Sequence, residues 1–267
     1  MFDSGFGGLT VARAVIDLLP AEQVVYFGDT ARYPYGPRSH AEVLAFAIQI
    51  TDWMMATFDP KMIVVACNTA TAVALERLSA RAPVPVVGVL EPGLRSLLEV
   101  SVTDRVGVVG TVGTIASGAY QQAAAEIAPG VELTCSACPG FVEFVERGET
   151  RSEQVHVLAQ RLLAPVREAK VDSLLLGCTH YPFLARTIGD VMGRDVVLVS
   201  SADETAFAVD RVLTETGLHR RIDEGTPLGV GHRFVSSGDV EVFAALGRSL
   251  LGPELETVEG HNWEDVR

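Results

Sequence analysis

The chain has 267 residues, 48% of them apolar, so it can bury a substantial core and is long enough for two packed domains. Its 21 Lys and Arg against 34 Asp and Glu give a formal net charge of −13, which would repel a phosphate backbone. A nucleic-acid partner is therefore not expected. The sequence has neither a run of roughly 20 apolar residues nor the layout of a secretory signal, so we expect a cytoplasmic protein with no membrane partner.

Short runs rich in Val, Ile and Leu alternate along the chain with longer amphipathic stretches. This alternation is typical of buried parallel strands joined by crossover helices, and it predicts an α/β fold. In chain order, the predicted strands are residues 24–27, 62–66, 84–89, 105–109, 131–135, 173–176, 196–199 and 234–236. Residues 43–58 carry a helical stripe of apolar side chains, which we assign to core packing. The acidic, weakly periodic stretch from Gly252 to Arg267 is expected to be peripheral and loosely ordered.

One sequence pattern occurs twice. Met62-Ile-Val-Val-Ala-Cys67-Asn-Thr and Ser173-Leu-Leu-Leu-Gly-Cys178-Thr-His share an apolar strand, then a cysteine, then small polar residues. The pattern places each cysteine at the carboxyl end of a strand, which is the edge of an open α/β sheet where ligands bind. We therefore predict two related halves that face each other across a ligand-binding cleft. The predicted first domain comprises residues 1–92 with 206–267, and the second comprises residues 93–205.

The four cysteines, at positions 67, 135, 138 and 178, are too few and too scattered for a disulfide-stapled fold, which indicates free thiols. A thiol with a pKa near roughly 8.5 is only about 3% ionised at neutral pH, so catalysis needs surroundings that favour the thiolate. The start of a helix offers them through unpaired amides, which would also receive an anionic amino acid. For Cys67 and Cys178, catalysis and inert packing remain open alternatives on these features alone. For His180, proton exchange and a structural role are also both open.

Other segments decide little on their own. Asp3-Ser4-Gly5-Phe6-Gly7-Gly8 allows close approach of the backbone to a ligand, or is merely a capped turn into a helix. The loop of residues 28–36 leaves a strand end, where loops either line sites or redirect the chain. Cys135-Ser-Ala-Cys138 has redox spacing, but a single pair supplies only half of a zinc site. Glu143 and Glu146 share one helical face, and one of them is a candidate for the cleft.

Four of these motifs, taken together and in order, resemble those of the glutamate racemase family, within the aspartate/glutamate racemases. They are Asp3-Ser4-Gly5-Phe6-Gly7-Gly8, Gly28-Asp29-Thr30-Ala31-Arg32-Tyr33-Pro34-Tyr35-Gly36, Cys67-Asn68-Thr69-Ala70 and Leu176-Gly177-Cys178-Thr179-His180-Tyr181-Pro182. The resemblance spans most of the chain. It implies two pseudo-symmetric α/β domains, each a mostly parallel sheet flanked by helices, with the active site in the cleft between them.

The resemblance also implies a chemistry, the interconversion of L-glutamate and D-glutamate without pyridoxal phosphate or a metal. Cys67 is expected to remove the α-proton of D-glutamate while Cys178 protonates the opposite face, with the roles reversed for L-glutamate. Asp3 is expected to assist Cys67, and Glu146 and His180 to assist Cys178. The residues expected to bind the substrate are Asp3, Ser4, Tyr35, Gly36, Asn68, Thr69, Thr179 and His180. Supply of D-glutamate to peptidoglycan synthesis, a homodimer and a secondary interaction with gyrase are further expectations.

One departure from the family concerns the first strand, because only Met1 and Phe2 precede Asp3 where relatives usually have several apolar residues. Either the chain begins upstream of Met1, or the turn that follows holds Asp3. Two rival functions remain: a related enzyme, such as an aspartate racemase or a one-thiol decarboxylase, and a catalytically silent amino-acid-binding or regulatory protein. The second cysteine counts against the decarboxylase, and intact cysteines at both positions count against silence.

Overall fold

The computed structural model describes residues 1–221 and 231–265, in which strands and helices alternate. The strands are β1 Phe2–Asp3, β2 Val25–Gly28, β3 Ile63–Val65, β4 Val86–Gly88, β5 Arg105–Gly110, β6 Glu132–Ala137, β7 Ser173–Gly177, β8 Val197–Val199, β9 Arg233–Ser236 and β10 Val258–Gly260. The α-helices are α1 Leu9–Leu18, α2 His40–Phe58, α3 Asn68–Arg81, α4 Leu90–Val100, α5 Val112–Ala116, α6 Ala119–Ile127, α7 Phe141–Glu146, α8 Glu153–Leu162, α9 Ala164–Glu168, α10 Ala185–Met192, α11 Ala202–Thr216 and α12 Val240–Leu251. Short 3-10 helices cover Tyr181–Leu184, Gly252–Glu254 and Trp263–Asp265.

The strands form two sheets flanked by helices, and the strands within each sheet run parallel, which confirms the predicted fold class. The first sheet has the order β10-β9-β2-β1-β3-β4, and the second has the order β6-β5-β7-β8. Every predicted strand is present, with ends that differ by at most two residues. Strands of the first sheet lie within residues 2–88 and 233–260, and those of the second within 105–199. The domain limits, 1–92 with 206–267 and 93–205, stay a prediction.

Strand β1 has only two residues but lies inside the first sheet. Phe2 pairs with Phe27 of β2 on one side and with Val65 of β3 on the other. Asp3 ends the strand, and its Oδ2 accepts hydrogen bonds from the amides of Gly5 and Gly8 at 3.0 and 3.1 Å. Strand pairing and the following turn therefore both hold Asp3.

The helix assigned to core packing over residues 43–58 is α2. Its N-terminus is capped by Ser39, whose hydroxyl accepts the amide N–H of Glu42 at 3.3 Å. The helix buries Val43, Ile50 and Met54, among others, beneath the first sheet, as its apolar stripe predicted. None of the helices in the two described stretches has the length and apolarity needed to cross a membrane.

The expectation of a loose carboxyl-terminal stretch is wrong for the part that is described. Strand β10 pairs in parallel with β9 and extends the first sheet by one strand. Trp263 packs edge-on against Phe27, with ring centroids 5.4 Å apart, and its indole N–H donates to Asp29 at 3.0 Å. A three-residue edge strand has too few positions to establish a period of two, so its sequence gives no strand signal. Residues 266 and 267 lie outside the described residues.

Candidate active site

Cys67 and Cys178 occupy matching places, each following a strand that lies one position in from the edge of its sheet. Cys67 caps α3, and its sulphur accepts the amide N–H of Ala70 at 3.4 Å. Its thiol donates to Ser4 Oγ at 3.7 Å. Cys178 precedes the 3-10 helix Tyr181–Leu184 instead of an α-helix; the Tyr181 amide donates to its carbonyl at 3.0 Å, and the nearby amides of His180 and Tyr181 lower the pKa of its thiol. Both cysteines therefore meet backbone N–H groups at the start of a helical segment.

The two cysteines line one small cavity between the two halves of the chain, one built on the first sheet and the other on the second. Its walls are formed by Ser4, Tyr33, Pro34, Tyr35, Gly36, Cys67, Asn68, Thr69, Thr111, Val142, Cys178, Thr179 and His180. The cavity has a volume of about 20 Å³, roughly what a single water needs, so an amino acid enters only after the walls move apart. Apart from Asp3 and Glu146, which do not line the cavity, all the sequence-predicted site residues meet here. Their catalytic and binding roles stay predictions.

Asp3 is fully buried, and its carboxylate is close enough to both cavity thiols to contribute to the rise of their pKa values. Besides its bonds to two amides of the glycine-rich turn, its Oδ1 accepts a hydrogen bond from the Thr179 hydroxyl of the other half at 3.4 Å. A Cβ on Gly8 would come within 2.6 Å of Asp3 Cβ, and one on Gly7 would come within 2.6 Å of His180 Nδ1. The glycines of the first motif thus let the turn pack against both Asp3 and the second half.

His180 and Glu146 form a hydrogen-bonded pair on the Cys178 side. Nε2 of His180 lies 3.0 Å from Glu146 Oε1, and Nδ1 lies 3.4 Å from the Thr179 hydroxyl. The imidazole is 2% exposed, whereas the Glu146 side chain, at the end of α7, is 29% exposed. The carboxylate therefore orients a buried ring and connects it to solvent.

Comparison with known proteins identifies the family to which this arrangement belongs. The family model described as Asp/Glu/Hydantoin racemase matches residues 8–209. A glutamate racemase from Parafrankia sp. (strain EAN1pec) is 50% identical over 258 residues, which cover 97% of this chain and 92% of that protein. The chain belongs to the Asp/Glu/hydantoin racemase family. The glutamate racemase of Bacillus cereus (strain ATCC 10987 / NRS 248) is 43% identical over 259 residues, or 97% of this chain and 94% of that protein.

Solved structures of racemases share the fold. Glutamate racemase isoform RacE1 from Bacillus anthracis has a TM-score of 0.89 at 37% identity, covering 98% of this chain and 95% of that one. The glutamate racemase of Francisella tularensis, solved in complex with D-glutamate, has a TM-score of 0.88 at 30% identity with the same coverage. The protein is accordingly an amino-acid racemase, as the motifs implied.

Burial raises the pKa of both cavity thiols in this racemase. Cys67 is 5% exposed and Cys178 is 7% exposed. Burial, with a smaller contribution from the Asp3 carboxylate, raises the pKa of Cys67 to about 12, and burial likewise raises the pKa of Cys178. The backbone amides that we predicted lower both pKa values, but by less than burial raises them. Both thiols are therefore protonated at neutral pH in the closed cavity.

The buried thiols should make the fold less stable at alkaline pH. Because their folded pKa lies above the unfolded value of 9.0, the stability they contribute is intact below that pH and is lost as the pH rises toward the folded pKa. We expect the free energy of unfolding to fall above about pH 9, and to fall less steeply in a Cys67→Ser/Cys178→Ser variant, by about 1.4 kcal/mol per pH unit per thiol. Urea unfolding between about pH 8.5 and 11 measures both slopes. Parallel slopes would mean that the thiols ionise within the folded protein.

The structure adds residues to the site that the sequence analysis did not select. Thr111 and Thr114 of the second half form a triangle of hydroxyls with Thr69, with oxygen separations of 2.9 to 3.0 Å. The Tyr33 ring contacts that of His180 in a tilted arrangement, with ring centroids 5.7 Å apart. Tyr33 lies inside the second of the four motifs but was not selected as a site residue, and the threonines carry no distinctive spacing. Their place in the site follows from how the two halves pack, which no local pattern records.

The remaining cysteines lie outside the cavity. In the two described stretches, no three His, Cys, Asp or Glu side chains come together as a metal site would require. Cys135 and Cys138 are free thiols, and burial raises the pKa of Cys135 to about 11 and that of Cys138 to about 12. Protonated thiols are poor nucleophiles, and neither of these two lies beside the cavity, so the structure gives no support to a redox or metal role for the pair.

Proposed function

We propose that the protein is a cofactor-independent glutamate racemase in which Cys67 and Cys178 are the two acid/base groups. Racemisation removes a proton from one face of the α-carbon and returns one to the other face, so it needs a group on each side. The observation that carries the proposal is that thiols from the two halves line one closed cavity, with the buried Asp3 carboxylate near Cys67 and the hydrogen-bonded pair of His180 and Glu146 beginning two residues beyond Cys178.

In the proposed reaction the Cys67 thiolate takes the α-proton of D-glutamate, and the Cys178 thiol gives its proton to the opposite face. The products are L-glutamate, a Cys67 thiol and a Cys178 thiolate, and the reverse reaction restores the first state. Asp3 serves as the acceptor that takes the Cys67 proton before the reaction, and His180 with Glu146 serves Cys178 in the same way. A thiolate with a raised pKa is a stronger base toward the weakly acidic α-hydrogen, so the burial of both thiols favours abstraction once their protons have moved.

The cavity walls offer a way to bind carboxylates and a carbanion without positive side chains. Among the described residues that line the cavity, none is Lys or Arg. The Tyr120 hydroxyl donates to Asn68 Oδ1 at 2.9 Å, and the buried Nδ2 of Asn68 has no partner among the described residues. This amide, the hydroxyls of the lining and the N-terminus of α3 are the donors that we propose for the substrate carboxylates. Closure around the substrate strengthens each of these bonds by excluding water.

The substrate assignment is supported by relatives at 43 to 50% identity that are named glutamate racemases and by the Francisella tularensis neighbour that binds D-glutamate. We propose that the product supplies peptidoglycan synthesis. The four free cysteines suit the reducing cytoplasm in which we place the reaction. The homodimer and the gyrase interaction stay predictions.

Isotope exchange during racemisation tests the proposed function. The purified protein, under reducing conditions and without pyridoxal phosphate or added metal, is incubated with L-glutamate, D-glutamate or either aspartate enantiomer in heavy water. We expect the optical rotation of both glutamate samples to decay to zero and the inverted product to carry α-deuterium. Faster conversion of aspartate would indicate an aspartate racemase. No conversion of either amino acid by the folded protein would favour the silent binding protein.

A further inference from the structure

Asp29 is a buried carboxylate beside the candidate site that the proposed reaction does not use. It follows β2 and begins the loop of residues 29–36, and its side chain is fully buried. Its Oδ2 accepts hydrogen bonds from Arg32 Nε at 2.7 Å and from the Tyr35 hydroxyl. Its Oδ1 accepts from the Ser237 hydroxyl at 2.8 Å and from Trp263 Nε1 at 3.0 Å. The four donors match the roughly four acceptor positions of a carboxylate, so Asp29 is fully engaged.

The bond to Tyr35 connects Asp29 to the cavity wall. Tyr35 lines the cavity, but its hydroxyl is taken up by Asp29, so the residue offers the cavity its ring and backbone. The next residue, Gly36, accepts the amide N–H of Gly113 in the second half at 2.9 Å. A Cβ on Gly36 would lie 2.8 Å from Thr111 Cβ, so this wall has little freedom on its other side. The wall is therefore held on two sides, by Asp29 through the Tyr35 hydroxyl and by Gly113 and Thr111 at Gly36.

Two further contacts join Asp29 to the rest of the site and to the carboxyl-terminal segment. Its amide N–H donates to the carbonyl of Asp3 at 3.0 Å, which ties the loop to the strand that ends at the proposed proton acceptor. On the other side, the Arg32 guanidinium lies over the Trp263 ring at 4.2 Å from its centroid. Asp29 thus joins four segments that are distant in sequence: residues 1–3, the loop, Ser237 and the segment around residue 263.

We propose that Asp29 is a positioning residue for racemisation, which holds the Tyr35–Gly36 wall against Cys67 and is itself held by Trp263. This role rests on the proposed function, since its effect is measured on glutamate turnover. Asp29 does not line the cavity. Loss of the anchor should therefore weaken substrate binding, which the wall provides in ground and transition state alike, more than it slows proton transfer.

Kinetics of Asp29→Asn, Tyr35→Phe and the double variant test the role. We expect KM for both enantiomers to rise about ten- to hundredfold in each single variant, with kcat within about threefold of wild type. Because both changes act on the bond between Asp29 and Tyr35, the double variant should be no worse than the more affected single variant. Trp263→Phe, which keeps a ring and removes one donor to Asp29, should raise KM by about threefold or more.

Asp172→Asn is the matched control. Asp172 also accepts four hydrogen bonds, from Ser101, Val102 and Thr103, but it lies at the amino end of β7, whereas the cavity lies at the carboxyl end. The Asp172→Asn substitution should lower the midpoint of urea unfolding and leave KM unchanged. An unchanged KM in Asp29→Asn, or additive effects of Asp29→Asn and Tyr35→Phe, would overturn the proposal. If Asp29→Asn does not fold, Tyr35→Phe and Trp263→Phe decide, and inactive wild-type protein would contradict the proposed function instead.

Discussion

Replacing either Cys67 or Cys178 with alanine should lower kcat/KM for glutamate by about 10³- to 10⁴-fold or more. Each thiol is the sole proposed acid/base group on its face of the α-carbon, and general acid–base catalysis contributes up to about 10⁴-fold. The equilibrium constant between enantiomers is one, so the loss must be equal in the two directions. The two thiols act as a unit, and the double variant should therefore be hardly slower than either single variant. Optical rotation, followed from pure D-glutamate and from pure L-glutamate, measures these rates.

The other two cysteines provide matched controls for this loss. Cys135→Ala and Cys138→Ala also remove a thiol whose pKa burial has raised, but neither side chain lines the cavity. Both should retain kcat/KM within about threefold, although the change at buried Cys138 should cost stability through the cavity it leaves. Substantial racemisation by Cys178→Ala would sink the two-thiol mechanism and leave a single base acting on both faces.

Exchange of the α-hydrogen without inversion should show which thiol acts on which face of the α-carbon. In heavy water, Cys178→Ala still has Cys67 and should slowly exchange the α-hydrogen of D-glutamate, while leaving that of L-glutamate in place. Cys67→Ala should do the reverse. If each variant instead exchanged the α-hydrogen of the other enantiomer, the roles that we assign to the two thiols would be reversed.

The sequence was most informative where the signal is local. An apolar run followed by a cysteine and small polar residues predicts a strand, its carboxyl end and the start of the next helical segment. Both copies of this pattern have that structure. Parallel strands then bring their carboxyl ends to one edge, so the two cysteines and their followers could be assigned to a shared cleft before any contact was known.

The contacts that the sequence did not predict join residues that are far apart along the chain. Trp263 donates to Asp29 across 234 positions, and the hydroxyl triangle joins Thr69 to residues of the other half. The thiol pKa values likewise depend on contacts between residues that are far apart along the chain. A helix start predicts a lower pKa from local geometry, but the size of the burial effect depends on how tightly the two halves pack around the thiols.

Substitution of His180 by glutamine should change the kinetic isotope effect of racemisation differently for L-glutamate and for D-glutamate. Nε2 of His180 meets Glu146 at 3.0 Å, and a glutamine amide can retain a hydrogen bond there but cannot carry the proton that we assign to the imidazole. We expect kcat/KM to fall by about 10²-fold, equally for both enantiomers. The informative quantity is the isotope effect of α-deuterated glutamate.

If His180 serves Cys178, its loss raises the barrier of the step in which Cys178 exchanges a proton with the substrate. With L-glutamate that step is proton abstraction, so it becomes more fully rate-limiting and the isotope effect should rise toward its intrinsic value. With D-glutamate the abstraction belongs to Cys67, and the isotope effect should fall. Asp3→Asn is the mirror-image control, with the larger effect expected for D-glutamate. Equal isotope effects for the two enantiomers in His180→Gln would mean that the imidazole supports the site as a whole and not one thiol.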